Sequence, residues 1–436
     1  MSARLSTRAR AELVVGLVAG GAALVALWPL VVALEEPVPP VGLVAHVSGM
    51  LAGYLVLVAM VLMSRWPLLE HGIGADVLAR WHAPLGRAVV GLVLTHAVTA
   101  VLVWSQITGM SVGEALVDAL GFTGMVAATV GTVLLLVVAA VSARSARRRL
   151  THEQWRLVHL TTYAAVALSF VHQLAGPDLA GRPVLQVLWS VAYCAAFGLV
   201  LTHRVLAPLH AAARHRLRVV GVVAEAPGVV SIVVEGRAVH ELAARPGQFF
   251  RWRFLAPGLW RTAHPFSLSA PPVGDRLRLT VKTLGDGSAR LQQVPVGTRV
   301  VAEGPYGALT EDRRSRPGVL LVAGGVGITP MRALLETLES EGPMDLVLLY
   351  RADRAEDVVF RTELDALAER RQARVVYLLG DDPDLLSART LQRLVPGLVE
   401  RDVYLCGPPG MTAAVRRSLA QAGVAGQHVH EERFAL

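Results

Sequence analysis

Six apolar runs, at about 12–34, 41–63, 82–104, 115–141, 154–175 and 183–206, fill the first half of this chain. Each is long enough to cross ~30 Å of hydrocarbon as a helix. A bilayer core offers no water to backbone amides, so runs of this length resolve into spanning helices rather than loops. Six crossings return both ends to one side. The first run exceeds the core of a signal peptide and lacks a convincing cleavage site, so it reads as a helix that stays.

The 436 residues predict two to four domains. The formal charge of +8 does not point to nucleic acid, because much of the excess flanks the apolar runs. Arg4, Arg8 and Arg10, then Arg65 and Arg80, then Arg144, Arg147, Arg148, Arg149 and Arg156, then Arg204, Arg214 and Arg216 fall on alternate connections. The other connections carry Glu35, Glu36, Glu114, Asp118 and Asp178 against Arg182 alone. The positive-inside rule therefore places both termini in the cytoplasm, on a plasma or inner membrane. Cys194 and Cys406 lie far apart with no CxxC pair, which excludes a disulfide scaffold or a thiolate metal site.

Two of the runs carry paired histidines. His82 and His96 stand 14 residues apart, ~21 Å along a helix and about 40° short of four turns, so they share a face with one near each leaflet. His159 and His172 repeat the device 13 residues apart. That spacing turns ~1300°, and helix arithmetic alone does not bring these two to one face. Ionisable groups inside a membrane are costly and mark function by default. Two imidazoles per haem iron leave no open coordination position, which suits electron transfer. With the termini inside, His82 pairs with His159 toward the cytoplasm and His96 with His172 toward the outside. The plainer alternative is that each bonds a neighbouring helix. His46, near the outer end of the second run, reads first as packing and otherwise as a group facing the outer pair or an acceptor.

After about residue 211 the pattern becomes short alternating segments between Gly and Pro turns: Leu217–Ala224, Val229–Glu235, Phe249–Phe254, Leu277–Thr283 and Arg299–Glu303. These predict a small antiparallel barrel over 212–315. From 316 to 436, strands Val319–Ala323, Leu346–Tyr350, Arg374–Leu379 and Asp402–Cys406 alternate with helices Met331–Glu339 and Asp357–Arg370, which predicts a parallel sheet with crossover helices. The expected fold class is thus an all-α six-helix transmembrane bundle over 1–211, an antiparallel β-barrel, and an α/β parallel-sheet nucleotide-binding domain.

Three motifs lie in the second half: His264-Pro265-Phe266-Ser267-Leu268-Ser269 on a barrel strand; Ala323-Gly324-Gly325-Val326-Gly327-Ile328-Thr329-Pro330 between a strand and a helix, where backbone amides can approach a pyrophosphate; and Cys406-Gly407-Pro408-Pro409-Gly410-Met411 after the last parallel strand. In this order they resemble the ferredoxin–NADP reductase superfamily. With the membrane half included, the chain resembles the ferric reductase and NADPH oxidase family, whose third and fifth helices carry H-x13-H and H-x12-H. His82/His96 and His159/His172 match both spacings.

The resemblance implies two b-type haems on His82, His96, His159 and His172. It implies FAD held by His264, Pro265, Phe266, Ser267, Leu268 and Ser269, with Lys282, Gly285, Asp286, Gly287 and Ser288 forming the pyrophosphate turn. It implies a dinucleotide cradle of Gly324, Gly325, Gly327, Thr329 and Pro330, and a nicotinamide wall of Cys406, Gly407, Pro408 and Met411. Ser267 and Cys406 are the residues it places nearest the chemistry. His264 stands where soluble reductases often have Arg, as in the membrane branch. Phe434 is the candidate for stacking on the flavin, although Ala435 and Leu436 follow it. Arg351, at a strand end, suits an adenosine 2′-phosphate, which favours NADPH over NADH. The expected activity passes electrons from cytoplasmic NADPH through FAD and the haems to a ferric chelate or dioxygen outside. Its rivals are an electron-carrier subunit feeding a partner enzyme and a membrane-anchored flavin reductase without haem.

Overall fold

The computed structural model describes residues 7–143, 150, 152–340 and 342–432. Arg4, Arg144, Arg147, Arg148, Arg149 and Phe434 lie outside these. The chain divides into two compact units, Met1–Leu206 and Ala207–Leu436.

Among the described residues six helices are long and apolar enough to span a membrane, and the chain is an integral membrane protein. Their packed interior is small and aliphatic around Val56, Leu57, Met60, Val89 and Val166, with Tyr193 among them. Large apolar side chains such as Leu17, Leu24, Leu34, Val184 and Val187 remain exposed, as lipid-facing positions must. Small residues bring backbones close: a Cβ on Gly131 would meet Ala165 O at 2.7 Å.

The third helix runs without a break over Ala75–Thr108, longer at both ends than the apolar run predicts. Two other runs are interrupted. The expected 115–141 span divides into Val112–Ala119, opened by a capping box between Ser111 and Glu114, and Met125–Ser142. Between them Gly124 adopts φ +79, where a Cβ is disfavoured. The fifth run divides into His152–Leu168 and Phe170–Ala175, with Ser169 between them.

The second unit begins with two three-stranded antiparallel sheets. Strands β1 (Arg218–Ala226), β2 (Val229–Glu235) and β5 (Arg276–Lys282) form one, in the order β1-β2-β5. Strands β3 (Phe249–Phe254), β4 (His264–Ser267) and β6 (Val300–Tyr306) form the other, in the order β4-β3-β6. Bridges Arg218–Arg299 and Leu268–Leu279 join the sheets, so the expected barrel takes the form of two linked sheets around one core. Alternation sets that core: Phe250, Trp252 and Phe254 point inward from β3, fully buried, each contributing about 1.5–3 kcal/mol.

The five-stranded parallel sheet follows, in the order β11-β10-β7-β8-β9: β7 Gly318–Gly324, β8 Leu346–Ala352, β9 Arg374–Leu379, β10 Arg401–Cys406 and β11 Val429–Glu432. Strand order reverses between β7 and β10, and the crevice at their carboxyl ends is where open α/β sheets take ligands. At the opposite end of β10 the buried Asp402 carboxylate accepts the backbone N–H groups of Ser315 and Arg316, and His428 and His430 donate to it. The helix expected from Asp357 starts at Arg361 instead, because a 3-10 turn over Ala355–Asp357 and a positive φ at Phe360 come first.

Candidate functional site

The four membrane histidines meet in two pairs. The ring centroids of His82 and His159 are 6.0 Å apart, and those of His96 and His172 are 6.3 Å apart. Two imidazoles bound to opposite sides of one metal at ~2 Å metal–nitrogen distances have centroids ~6 Å apart, so each pair fits one iron between its rings. Among the described residues no cluster holds three or more metal-ligating side chains. A haem iron needs only two, since the macrocycle supplies the rest.

His96 shows how the protein orients such a ring. Its Nδ1–H donates to Ala45 O at 2.8 Å, which leaves Nε2 as the free nitrogen and fixes the tautomer. The approach depends on Gly49, where a Cβ would lie 2.6 Å from that Nδ1. Nδ1 of His82, His159 and His172 is buried with no hydrogen-bond partner. The Ala59 backbone interacts with His82 and the Ser169 backbone with His172.

The 13-residue spacing is explained by the break at Ser169. His172 stands on the short helix Phe170–Ala175, and Ser169 precedes it with ψ near zero, so ideal-helix arithmetic does not run through from His159. Gly124 clears the way on the other side, because a Cβ there would lie 2.7 Å from His172 N.

In the second unit the first motif divides by face. His264 and Phe266 are half-buried with their rings nearly parallel, 18° apart, Phe266 packing against the sheet core, while Pro265 is exposed. Ser267 is buried with its hydroxyl unpartnered. Leu268 belongs to the sheet core, and Ser269 Oγ accepts from Thr280. Those two hold the strand in place and offer a flavin no free side chain. Gly287 closes against His264, with 2.8 Å between a notional Cβ and the ring. In the same turn Ser288 Oγ already takes the N–H groups of Leu284 and Gly285, and Lys282 ends β5.

The glycine-rich turns serve two purposes. A Cβ on Gly324 would strike Met411 Sδ at 2.4 Å, one on Gly327 would strike Cys406 O at 2.2 Å, and one on Gly407 would strike Met411 Cε at 2.8 Å. These three let the β7 and β10 turns interlock. Gly325, at φ +53 with nothing within 4 Å of its Cβ position, is the glycine of the β7 turn with room for a ligand. Thr329 Oγ1 donates to Val326 O, pinning the turn, and Pro330 is buried behind it. Pro408 precedes the helix Pro409–Gln421.

Cys406 is fully buried, and burial together with Glu432 and Glu431 pushes its thiol well above the usual range. It is a neutral wall, not a thiolate nucleophile. Arg351 Nε donates to Gly380 O, and its guanidinium lies 3.7 Å from Asp353. The exposed Arg354 pairs with Glu356.

Sequence reading passed over two features. Glu432 lies beside Cys406 in the β10–β11 register, with its carboxylate against Gly307; the acidic tail was the available signal. Glu363 accepts two hydrogen bonds from Arg278 of β5 and one from Arg332, tying the sheet pair to the helix Arg361–Arg371. Only the fold brings those three together.

Residues 48–170 match the ferric reductase like transmembrane component and residues 321–417 the oxidoreductase NAD-binding domain. The chain is a membrane oxidoreductase of ferric reductase-like architecture. The first match takes in His82, His96 and His159 of this ferric reductase-like chain and stops two residues before His172. Its reductase half is 32% identical over 218 residues to the ferredoxin reductase component of 3-ketosteroid-9-alpha-monooxygenase from Mycolicibacterium smegmatis, a match covering 48% of this chain and 62% of that one. It is 30% identical over 241 residues to an NADPH oxidoreductase of Mycobacterium tuberculosis, covering 52% and 62%. The chain thus spans about three fifths of the length of these relatives. Among solved structures, the flavohem-like FAD/NAD binding domain of nitric oxide dioxygenase from Vibrio cholerae aligns at 28% identity and TM-score 0.44, covering 51% of this chain and 99% of that one.

Proposed function

We propose that this protein carries electrons across the membrane, from NADPH bound in the reductase module, through FAD and two b-type haems, to an acceptor on the outer face. The observation that carries the reading is the pair of imidazole pairs, 6.0 and 6.3 Å between centroids, built from the same two spans. Bound flavin supplies the exchange of a hydride for single electrons, and bound haem iron supplies one-electron relay. The residues do the rest. His82 with His159, and His96 with His172, would hold one iron each. Phe266 and His264 offer aromatic surface to a flavin, Gly325 admits the nucleotide backbone, and the neutral Cys406 shapes the nicotinamide wall without competing for electrons. Arg351 takes the 2′-phosphate if it releases Asp353, so NADH remains the competing donor.

The arginine pattern supports a cytoplasmic reductase module, and a ferric chelate or dioxygen as outer acceptor. A second reading draws on the relatives, several of which are named as reductase components of monooxygenases: the electrons pass to a partner enzyme instead of a small molecule. The test is an absorption spectrum of detergent-purified protein before and after anaerobic NADPH, with haem and flavin counted per chain. Two b haems reduced through one FAD are expected; flavin reduction with no haem signal refutes the reading. Turnover with ferric chelates or oxygen then separates the acceptors from the partner-enzyme reading, which predicts little of either.

A further inference from the structure

The break that lets His172 face His96 needs something to hold it, since Ser169 has no intrinsic power to stop a helix in a membrane. The last span supplies the hold. Trp189 Nε1 donates to Gln173 Oε1 at 2.8 Å and Tyr193 OH donates to the same oxygen at 2.9 Å. The other end of that amide donates to Ser169 Oγ at 3.3 Å, and Ser169 Oγ donates to Val166 O. One turn nearer the start of the last span, Gln186 donates to Leu174 O. The second span is notched to admit the group: a Cβ on Gly53 would lie 2.8 Å from Trp189 and 3.0 Å from Gln173 Oε1. The Gln173 amide oxygen thus accepts two hydrogen bonds from side chains of another helix, and its amide nitrogen donates to Ser169 of its own span. The interaction is strong where no water competes.

We propose that Gln173 is a positioning residue for the outer histidine pair. Anchored by Trp189 and Tyr193 and holding Ser169, it fixes the rotation of the short helix Phe170–Ala175 and so the direction in which the adjacent His172 presents its ring. The inner pair lies on the uninterrupted helices Ala75–Thr108 and His152–Leu168 and is independent of this network. The role rests on the bis-histidine haem reading above.

The experiment compares wild type, Gln173→Ala and Gln173→Glu as full-length chains in detergent, by haem stoichiometry and by low-temperature electron paramagnetic resonance of the oxidised low-spin haems. Gln173→Ala is expected to fall from two haems per chain toward one, or to shift the low-spin signal of the His96–His172 site alone. Gln173→Glu, which when protonated keeps an acceptor for Trp189 and Tyr193 and a donor for Ser169, is expected to restore it. Tyr193→Phe removes one anchor and gives an intermediate shift. Two haems with both signals unchanged in Gln173→Ala overturn the positioning role alone, as does equal loss of both signals. A wild-type protein without haem overturns the functional reading and this role with it.

Discussion

Gly49→Ala tests whether the closeness of the second span to His96 sets the outer pair. The added Cβ would lie 2.6 Å from His96 Nδ1 where ordinary contact begins at 3.4 Å, so the ring must retreat by about 0.8 Å. That motion breaks the 2.8 Å bond to Ala45 O. Loss of such an orienting bond costs about 1 kcal/mol in stability and about 10–100-fold in metal affinity, or roughly 1.4–2.7 kcal/mol. Gly91→Ala is the matched control: it lies on the same helix as His96, with nothing within 4 Å of its Cβ position. The assay is haem titration of the apoprotein, followed by the Soret band. Gly49→Ala should retain the inner haem and lose the outer one as haem becomes limiting, while Gly91→Ala follows wild type. Equal affinity for both haems in Gly49→Ala and wild type would refute the reasoning, because the clash would then be absorbed without moving the ring.

Arg351→Ala should raise the KM for NADPH about tenfold or more and that for NADH little, since only NADPH carries the phosphate; steady-state kinetics with both donors check this, and equal effects remove Arg351 from the phosphate site. Cys406 should resist iodoacetamide in the folded protein at pH 8 and react once unfolded, as read by peptide mass spectrometry, because its raised pKa leaves no thiolate. Asp402 is buried, and although burial alone would raise its pKa, the Ser315 and Arg316 amides and His428 hold it below the usual carboxylate range. A depressed carboxylate stabilises above its unfolded pKa of ~3.9 and loses that contribution as pH falls through the lower folded value. Asp402→Asn should therefore lower the thermal midpoint at pH 7, by about 2 kcal/mol in stability, and the gap should begin to narrow as pH falls below ~3.9. Midpoints that stay parallel from pH 7 to pH 3 would sink this.

How much was legible beforehand follows from where each signal lives. The six spans are written in local hydropathy, and the His82–His96 relation in the geometry of one straight helix, so both were readable. The turn at Gly121 to Gly124 was hidden because apolar residues flank it on both sides, and length alone could not divide the run. The Ser169 break was not legible at all: the side chains bonded around it, Gln173, Trp189 and Tyr193, are drawn from two helices. In the reductase half, alternation marked Phe250, Trp252 and Phe254, but β11 is four residues long and carries no period. The glycines lie in the turns after β7 and β10, yet sequence could not say that Gly324, Gly327 and Gly407 meet protein while Gly325 meets open space.

The interruption at Ser169 has a mechanical consequence. A continuous rod would transmit any twist or slide at one end to the other, so adjusting one imidazole would misalign its counterpart across the bilayer. With a joint between them, the two ends of the fifth span become separately adjustable parts. On the proposed reading, substitutions around Phe170–Ala175 would alter how readily an outer haem takes and gives electrons, while an inner haem keeps the setting that suits its own donor.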